Sequence, residues 1–384
     1  MKIVFASNYL SHHQLPFCLS MVEKTDGDFV FVATEPIDEE RLALGYVNLD
    51  KSYDFVLCAY ESEENRKKAQ ELCDNCDVLI YGSAPDNYFI PRVRQGKLTF
   101  RYSERLFKES FTWKNLLRRI VSVCIHHIPF QNKKHCLLCA SAYTAADVDL
   151  FGCYRGRCYQ WGYFPEVKQY ADIDGLMEEK KKHSLLWVAR FLPLKHPEAA
   201  LQVAQRLQQD GYDFELTMIG TGELEEDVRR QVAALGLSDK VHLTGSMSPE
   251  QVREYMEQAE MFLFTSDRNE GWGAVLNESM NSGCAVVASR AIGSVPFLIQ
   301  DGENGLIYED GNIEELYAHV KGLLDDPVRR QAMGRAAYET MATLWNAEEA
   351  ATRVLQLAEQ LSKGESAENL FEKGPCSKAV ILRG

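Results

Sequence analysis

Short apolar runs, separated by helical or polar segments, most constrain the fold of this chain. In the first half the runs are KIVFASN, FVFVAT, DFVLCAY, DVLIYGS and KLTFRYSE. They are unbroken rather than alternating, which is typical of strands covered on both faces of a parallel sheet. Parallel strands need long connections, usually helices, so the pattern predicts an α/β fold.

A second set of strands begins after the charged stretch MEEKKKHS, residues 177–184. Its runs are SLLWVAR, FELTMIG, KVHLTG, MFLFTS, CAVVAS and GLIYE. The helices between them have marked ends: one has Pro197 near its start and Gly211 at its end, and another has a Ser248 cap with Gln251 in capping-box position. This set predicts a second Rossmann-like domain.

The length of 384 residues agrees with about two domains. We therefore predict an α/β chain of two Rossmann-like domains facing a cleft, with residues 1–176 in the first and 177–345 in the second. Residues 346–384 are predicted to form a helix that packs back on the first domain, followed from about Gly364 by a mobile tail.

Charge and hydropathy exclude some classes of protein. The formal net charge of −14 argues against a general nucleic-acid partner, which needs a basic surface. No run approaches the roughly 20 apolar residues of a membrane span, and the opening MKIVFASNYLSHHQLPF is interrupted too early for a signal peptide. We expect a cytoplasmic protein.

Eleven cysteines lie mostly in apolar runs, as small buried side chains do in a reducing compartment. Two C-x-x-C pairs, Cys73 with Cys76 and Cys136 with Cys139, have a spacing that suits zinc. Their strand-like surroundings argue against a zinc knuckle, and we expect no metal.

Two glutamates mark the candidate site, in the stretch NEGWGAVLNESM, residues 269–280. Glu270 follows a buried strand, and Glu278 lies about one turn inside the next helix. Open α/β sheets bind ligands at that edge. We expect Glu278 to accept hydrogen bonds from a diol such as ribose, and Glu270 to do so from a sugar. Two solvated acids would show the same spacing.

The residues between the two acids favour an anion. Small glycines, including Gly273, let a ligand approach the backbone, and the amides near Gly273, Ala274 and Val275 begin a helix. A phosphate fits there. Gly293 and Ser294 are predicted to form a second turn of this kind.

Arg190 and Lys195 follow the first strand of the same domain and should reach the same edge of the sheet. An Arg fork with a Lys point charge suits a diphosphate. Two ordinary surface cations are the alternative. The turn containing Gly220 and Gly222 has no third glycine at dinucleotide-binding spacing, so an ordinary βα turn is expected there.

Together, VARFLPLKHP, MIGTGEL, VHLTGSM and NEGWGAVLNESMNSGCAVVAS resemble the carboxyl-terminal domain of family 4 retaining glycosyltransferases of the GT-B fold. The resemblance covers roughly residues 184–345. It implies that Arg190 and Lys195 neutralise the donor diphosphate, that Glu270 contacts the transferred sugar and that Glu278 holds the ribose hydroxyls. It also implies retention of configuration without a metal or other cofactor.

The resemblance further implies that the backbone from Thr244 to Met247 flanks the base. One departure concerns the family's frequent Gly-Gly-x-Pro-Glu. Here the chain has Gly293, Ser294, Val295, Pro296 and Phe297, so the acid is missing while the backbone amides remain.

The first domain should bind the acceptor, and its candidate residues are His12, His13, Arg101, Ser103 and Glu104. The two histidines follow the first strand, where they either face the interdomain cleft or belong to a plain loop. Glu104 is alternatively the partner of Arg101 or Arg105 in a structural ion network.

Residues 101–135 are rich in Arg and Lys, with only Glu104 and Glu109 opposing them. Phe107, Phe111 and Trp113 interleave these charges, as suits an anionic membrane surface or a lipid pyrophosphate acceptor. An amphipathic helix with its apolar face in the core is the alternative.

We therefore expect a hexosyltransferase that moves a sugar from a nucleotide-diphosphate donor, such as a UDP-sugar, to a glycan or lipid-linked acceptor. Bacterial cell-surface polysaccharide assembly is the expected setting, with peripheral contact at the inner face of the membrane. The alternatives are a nucleotide-sugar epimerase, a Rossmann oxidoreductase, which the missing third glycine disfavours, and a noncatalytic sugar-nucleotide binding protein.

Overall fold

The computed structural model describes residues 1–39, 42, 47–108 and 113–382, and the chain forms two compact units. One unit contains Met1–Glu166 and Trp345–Gly384, and the other contains Val167–Leu344. The predicted boundary after residue 176 falls too late, because the preceding segment is bound by the second unit. The amide of Lys168 donates to Asn281 (2.8 Å), and the Tyr170 hydroxyl donates to Glu257 (2.7 Å).

The first unit contains a seven-stranded parallel sheet of order β3-β2-β1-β4-β5-β6-β7. Its strands are β1 Ile3–Ser7, β2 Phe29–Ala33, β3 Val56–Cys58, β4 Val78–Tyr81, β5 Thr99–Ser103, β6 His135–Cys139 and β7 Cys158–Gln160. Its helices are α1 Leu15–Lys24, α2 Glu63–Asn75, α3 Ile90–Arg94, α4 Trp113–His126, α5 Thr144–Asp149 and, from the end of the chain, α14 Ala347–Ser362. The strand order reverses between β1 and β4.

The second unit contains a six-stranded parallel sheet of order β10-β9-β8-β11-β12-β13. Its strands are β8 Lys181–Val188, β9 Glu215–Ile219, β10 Val241–Gly245, β11 Ala259–Phe264, β12 Ala285–Ser289 and β13 Leu306–Tyr308. Its helices are α6 Ile173–Glu178, α7 Pro197–Gln209, α8 Glu225–Ala234, α9 Pro249–Gln258, α10 Val275–Asn281, α11 Val295–Leu298, α12 Ile313–Asp325 and α13 Pro327–Thr343. Two Rossmann-like α/β units are thus confirmed.

Local signals placed several of these elements. The capping box between Ser248 and Gln251 is present at the start of α9, and Pro197 is the first residue of α7. The inner strands of the second unit are buried, as continuous apolar runs predict, and β8, β9, β11 and β12 supply Leu185, Met218, Leu263 and Val287 to one core.

The predicted mobile tail is wrong for the described residues after α14. The amide of Gln160 in β7 donates to the carbonyl of Ser377 (2.7 Å), and the amide of Cys376 donates back to Gln160 (2.8 Å). A third bond runs from the amide of Ala379 to Cys158 (3.1 Å). Strand β7 is the edge of its sheet, and an edge strand presents unpaired backbone groups. The tail therefore has a partner that its composition did not reveal.

Within the part of the chain that the structure describes, no helix is both long enough and apolar enough to cross a bilayer.

The cysteines of the two C-x-x-C pairs are all buried, namely Cys73, Cys76, Cys136 and Cys139. Burial raises the pKa of the Cys76 thiol to about 11 and that of Cys136 to about 12. The described residues contain no group of three or more His, Cys, Asp or Glu that could hold a metal ion.

Candidate active site

The strand order of the second unit reverses between β8 and β11, and the candidate residues follow these two strands. Strand β8 ends at Val188 and leads through Arg190 to a short 3-10 turn at Pro193–Lys195. Strand β11 ends at Phe264 and leads to the loop that carries Glu270. Both loops leave the carboxyl edge at the switch point, which is where open α/β sheets bind ligands.

Three hydrogen bonds join these two loops to each other and to β8. The amide of Asp267 donates to the carbonyl of Leu194 (2.9 Å), and the Thr265 hydroxyl donates to the carbonyl of Lys195 (2.7 Å). The indole N–H of the buried Trp187 donates to the same hydroxyl (2.9 Å). The position of the Lys195 backbone is therefore fixed by contacts between distant positions, which no local pattern predicts.

Lys195 and Glu270 form an ion pair across the two loops. Their side chains are only 15% and 14% exposed, so water screens the pair less than it screens a surface pair. The Ser266 hydroxyl donates a further hydrogen bond to the same carboxylate oxygen (3.2 Å). The site thus holds a cation and an anion side by side, and either group could also bind a charged or polar ligand.

His196 strengthens the same junction, and the sequence analysis did not identify it. Its backbone is left-handed (φ 47°), and its ring lies 2.7 Å from the Glu198 carboxylate and 3.4 Å from that of Asp267. Hydrogen bonds to Asp267 and Glu198 raise the pKa of His196 to about 10. The ring is therefore a cation at neutral pH. Its position directly after Lys195 was the available signal.

Gly273 is required by the backbone and by its neighbours. Its φ is +78°, and a Cβ there would lie 2.3 Å from Cζ of Phe264 and 3.3 Å from Cγ of Glu270. A side chain would therefore displace a buried ring and the site glutamate together. The glycine was predicted for close ligand approach, and the structure adds a packing reason.

Glu278 lies in α10, and its side chain is only partly exposed. Burial raises the pKa of its carboxyl, against the opposing charge of Arg253. The Arg253 guanidinium donates to the backbone carbonyl of Glu278 (3.2 Å) and to Asn281 (2.9 Å). A carboxylate held in this environment gains from any ligand hydroxyl that donates to it.

Ala274 and Val275 lie at the start of α10, where the amide of Leu276 donates to the carbonyl of Gly273 (3.0 Å). The predicted second anion-facing turn has hydrogen-bond partners in the Glu270 loop. The amide of Gly293 donates to the carbonyl of Glu270 (3.4 Å), and the buried Ser294 hydroxyl donates to the carbonyl of Trp272 (2.5 Å). These two residues therefore brace the Glu270 loop, and the anion contact predicted for this turn stays a prediction.

The remaining donor-side candidates lie on the same edge of the second sheet. Arg190 is exposed, and it makes no ion pair with a described residue. Thr244 lies at the end of β10, the outermost strand, and Met247 follows that strand. The Thr244 hydroxyl donates to the carbonyl of Gly245 (3.3 Å).

In the first unit, three side chains that follow β1, β5 and β7 form one group. The ring of His13 stacks on Tyr163 with centroids 5.8 Å apart, and the Tyr163 hydroxyl donates to Glu104 (2.5 Å). Burial, with a contribution from His12, lowers the pKa of His13 to about 3, so the ring is neutral at physiological pH. The Ser103 hydroxyl donates to the carbonyl of Glu104 (2.9 Å).

Arg101 lies apart from this group. Its guanidinium donates to the carbonyl of His126 (2.8 Å) and lies 5.8 Å from the Tyr81 ring centroid. His12 is exposed beside His13. The predicted Arg partners of Glu104 are replaced by Lys108, which forms an ion pair with it, while Arg105 lies 3.9 Å from Asp147.

Residues 171–340 match the family model for glycosyl transferases group 1. The match coincides with nearly all of the second unit, which spans 167–344. The second unit is therefore a glycosyltransferase group 1 domain, and the resemblance predicted from its motifs is confirmed at this level.

Curated relatives match parts of the chain of similar length. The alpha-D-kanosaminyltransferase of Streptomyces kanamyceticus is 31% identical over 153 residues, which is 40% of this chain and 39% of the relative. The amylovoran biosynthesis glycosyltransferase AmsK of Erwinia amylovora is 30% identical over 183 residues, 46% and 45% of the two chains. The matched region spans less than half the length of these relatives.

Solved structures extend the similarity to both units. Anabaena Alr3699/HepE in complex with UDP has a TM-score of 0.66 at 15% identity, over 94% of this chain and all of that one. Sucrose-phosphate synthase from Thermosynechococcus elongatus has a TM-score of 0.65 at 14% identity, covering 95% and 100%. At such identities the likeness shows the fold, which is that of GT-B glycosyltransferases.

Proposed function

We propose that this chain is a retaining glycosyltransferase that transfers a hexose from a nucleotide-diphosphate donor to a glycan or lipid-linked acceptor in the assembly of a cell-surface polysaccharide. The observation that carries the proposal is the ion pair of Lys195 with Glu270 at the switch point. Beside it lies α10, which belongs to the region matched by the family model and contains the half-buried Glu278. A site with a ready cation and two separated carboxylates suits a ligand that is an anion at one end and a polyol at the other.

Each end of such a donor has a partner. Lys195 and the exposed Arg190 would hold the diphosphate and stabilise the charge that develops on it as the glycosidic bond breaks. We propose that these cations do the work of a metal, so that none is required. Glu270 would accept hydrogen bonds from the transferred sugar. Glu278 would accept them from the ribose hydroxyls, which relieve the cost of its burial.

The comparisons support the donor class and the biological setting. HepE has been crystallised with UDP and with UDP-glucose, and AmsK is named for the biosynthesis of amylovoran. We therefore propose a UDP-sugar donor. We also propose a cytoplasmic site of action at the inner face of the membrane.

The first unit would bind the acceptor. His13, Tyr163 and Glu104 form a connected polar group there, with the histidine neutral at physiological pH. A neutral imidazole both donates and accepts hydrogen bonds, as recognition of a sugar hydroxyl requires.

The first experiment is a thermal-shift titration with UDP, GDP, ADP, UDP-sugars and NAD. A ligand at about a hundred times its dissociation constant adds about 2.7 kcal/mol of stability. One nucleoside diphosphate and its sugar should raise the melting temperature, and NAD should leave it unchanged. A shift by NAD alone would refute the proposal.

Product analysis then separates transfer from the other activities. A transferase releases UDP in proportion to the glycoside formed, and the anomeric proton coupling reports whether configuration is retained. Conversion of the donor to an isomer without acceptor would identify an epimerase, and binding without turnover on any glycan or lipid-linked acceptor would identify a binding protein.

A further inference from the structure

Helix α4 has an exposed apolar stripe. Trp113, Leu117, Val121 and Ile125 recur every fourth residue, and their exposed fractions are 80%, 58%, 53% and 52%. Residues spaced by four drift slowly around a helix, so the four side chains form one oblique stripe along its outer surface. Ile128, just after the helix, extends the stripe and is 45% exposed.

The same helix also has an inner apolar side. Val123 is buried, and Leu116 and Ile120 are partly buried. Two contacts fix the end of the helix to its unit. Arg101 donates a hydrogen bond to the backbone carbonyl of His126, and the ring Nδ1 of His126 lies 3.0 Å from the Asp86 carboxylate. The sequence alternative of a helix with its apolar face in the core therefore accounts for the inner side and leaves the outer stripe without a role.

The surrounding charge identifies what could cover the stripe. Residues 113–135 contain five Lys or Arg and no Asp or Glu, in a chain whose net charge is −14. Lys114 and Arg118 are exposed beside the stripe. A second copy of the chain, docked through the same face, would bring basic residues against basic residues. An anionic surface with an apolar interior satisfies both the charges and the stripe.

We propose that α4 binds flat on an anionic lipid bilayer, with Trp113, Leu117, Val121 and Ile125 inserted at the level of the headgroups and Lys114 and Arg118 on the lipid phosphates. Fourteen residues of helix are about 21 Å long, enough to lie in the interface and too short to span it. This narrows the membrane contact predicted for residues 101–135 to one helix face. Glu109 and Phe111 of that prediction lie outside the described residues.

The proposal does not depend on transferase activity, because its test measures membrane binding alone. The full chain is mixed with vesicles of phosphatidylcholine, and with vesicles in which part of that lipid is replaced by anionic phosphatidylglycerol. All five tryptophans lie in the described residues, and the other four are buried, so a change in tryptophan emission on binding reports Trp113. We expect a blue shift with the anionic vesicles that Trp113→Phe abolishes.

Matched variants separate the two parts of the contact. Leu117→Asn with Val121→Asn should weaken co-sedimentation with anionic vesicles by at least about tenfold, because the apolar insertion is lost. The control Leu150→Asn removes a more exposed apolar side chain elsewhere on the first unit and should bind normally. Lys114→Gln with Arg118→Gln should weaken binding by on the order of tenfold. Its control, Lys67→Gln with Lys68→Gln on α2, should not.

Three outcomes would overturn the proposal. One is that the wild type does not bind anionic vesicles, and another is that the Leu117 and Val121 variant binds them as well as the wild type does. The third is concentration-dependent dimerisation that this variant abolishes, without vesicle binding, which would identify a second copy as the occupant.

Discussion

The ion pair of Lys195 and Glu270 leads to a prediction in which its two members act with opposite sign. If a donor diphosphate binds Lys195, it must share the ammonium with Glu270 and approach that carboxylate. Glu270→Gln keeps the shape and removes the negative charge. UDP should therefore bind this variant more tightly than the wild type, whereas Lys195→Met should bind UDP more weakly.

The size of the effect follows from the geometry. A phosphate charge held by Lys195 would lie roughly 6 Å from the Glu270 carboxylate, where Coulomb repulsion at an effective dielectric of about 20 is below about 3 kcal/mol before salt screening. A remaining gain of about 1.4 kcal/mol corresponds to a tenfold increase in UDP affinity. The lost pair is largely buried, so Glu270→Gln should also cost about 1 to 2 kcal/mol of stability.

Calorimetric titration with UDP measures the affinity. Thermal unfolding measures the loss of stability, which should lower the melting temperature by roughly 4 °C. Sugar transfer should fall by about a hundredfold or more, because Glu270 is proposed to contact the transferred sugar. The control is Glu215→Gln, which removes the partner of Lys181 at the opposite edge of the same sheet. An unchanged or lower UDP affinity in Glu270→Gln would refute a shared Lys195.

Three further changes test the rest of the site. Glu278→Gln should raise the melting temperature at pH values above the raised pKa of the wild-type carboxyl, because burial penalises the ionised form there. The UDP affinity of this variant should fall by about tenfold, and an unchanged affinity would remove the ribose assignment. Gly273→Ala should lower the free energy of unfolding by about 3 kcal/mol, because its Cβ meets Phe264. The control Gly302→Ala has a similar φ of +83° but lies in open space, so it should lower that free energy by only about 1 kcal/mol. Equal urea midpoints for the two variants would contradict the packing argument. His196→Asn keeps a residue that tolerates left-handed backbone but removes the positive charge. Because the pKa of His196 in the folded protein is raised to about 10, the wild type should be more stable than the variant by the full amount near pH 6, and this difference should disappear as the pH approaches 10. A difference in stability that does not change with pH would exclude the ion-pair explanation.

Much of the fold was predictable because its signals are local. Unbroken apolar runs identified strands of both sheets, and the capping residues of α9 lie within four positions of each other. The candidate site was predictable because its charged residues lie in segments that follow strands of one sheet, and the carboxyl ends of parallel strands meet at one edge. These residues are Arg190, Lys195, Glu270 and Glu278. The ion pair itself was not predicted, since it depends on which two strands are neighbours.

Contacts between distant positions were beyond the sequence. The support of Lys195 by Thr265 joins residues 70 positions apart, and the pairing of the tail with β7 joins residues more than 200 apart. From the sequence, His196 is an ordinary residue at the start of a helix. Only the fold brings Asp267, 71 positions away, to within 3.4 Å of its ring. The turn at Gly293 is predicted from the sequence to bind an anion, whereas its hydrogen bond to the carbonyl of Glu270 is visible only in the structure.

By itself, the sequence determined two α/β units and the group of charges at one sheet edge, because apolar periodicity and chain order are properties of neighbouring residues. The tertiary structure decided which charges meet, how far each is buried and which side of α4 faces outward. That helix has apolar side chains both toward its unit and away from it, so periodicity alone could not choose the buried side. Burial depends on what the rest of the chain packs against a surface, and no short stretch of sequence contains that information.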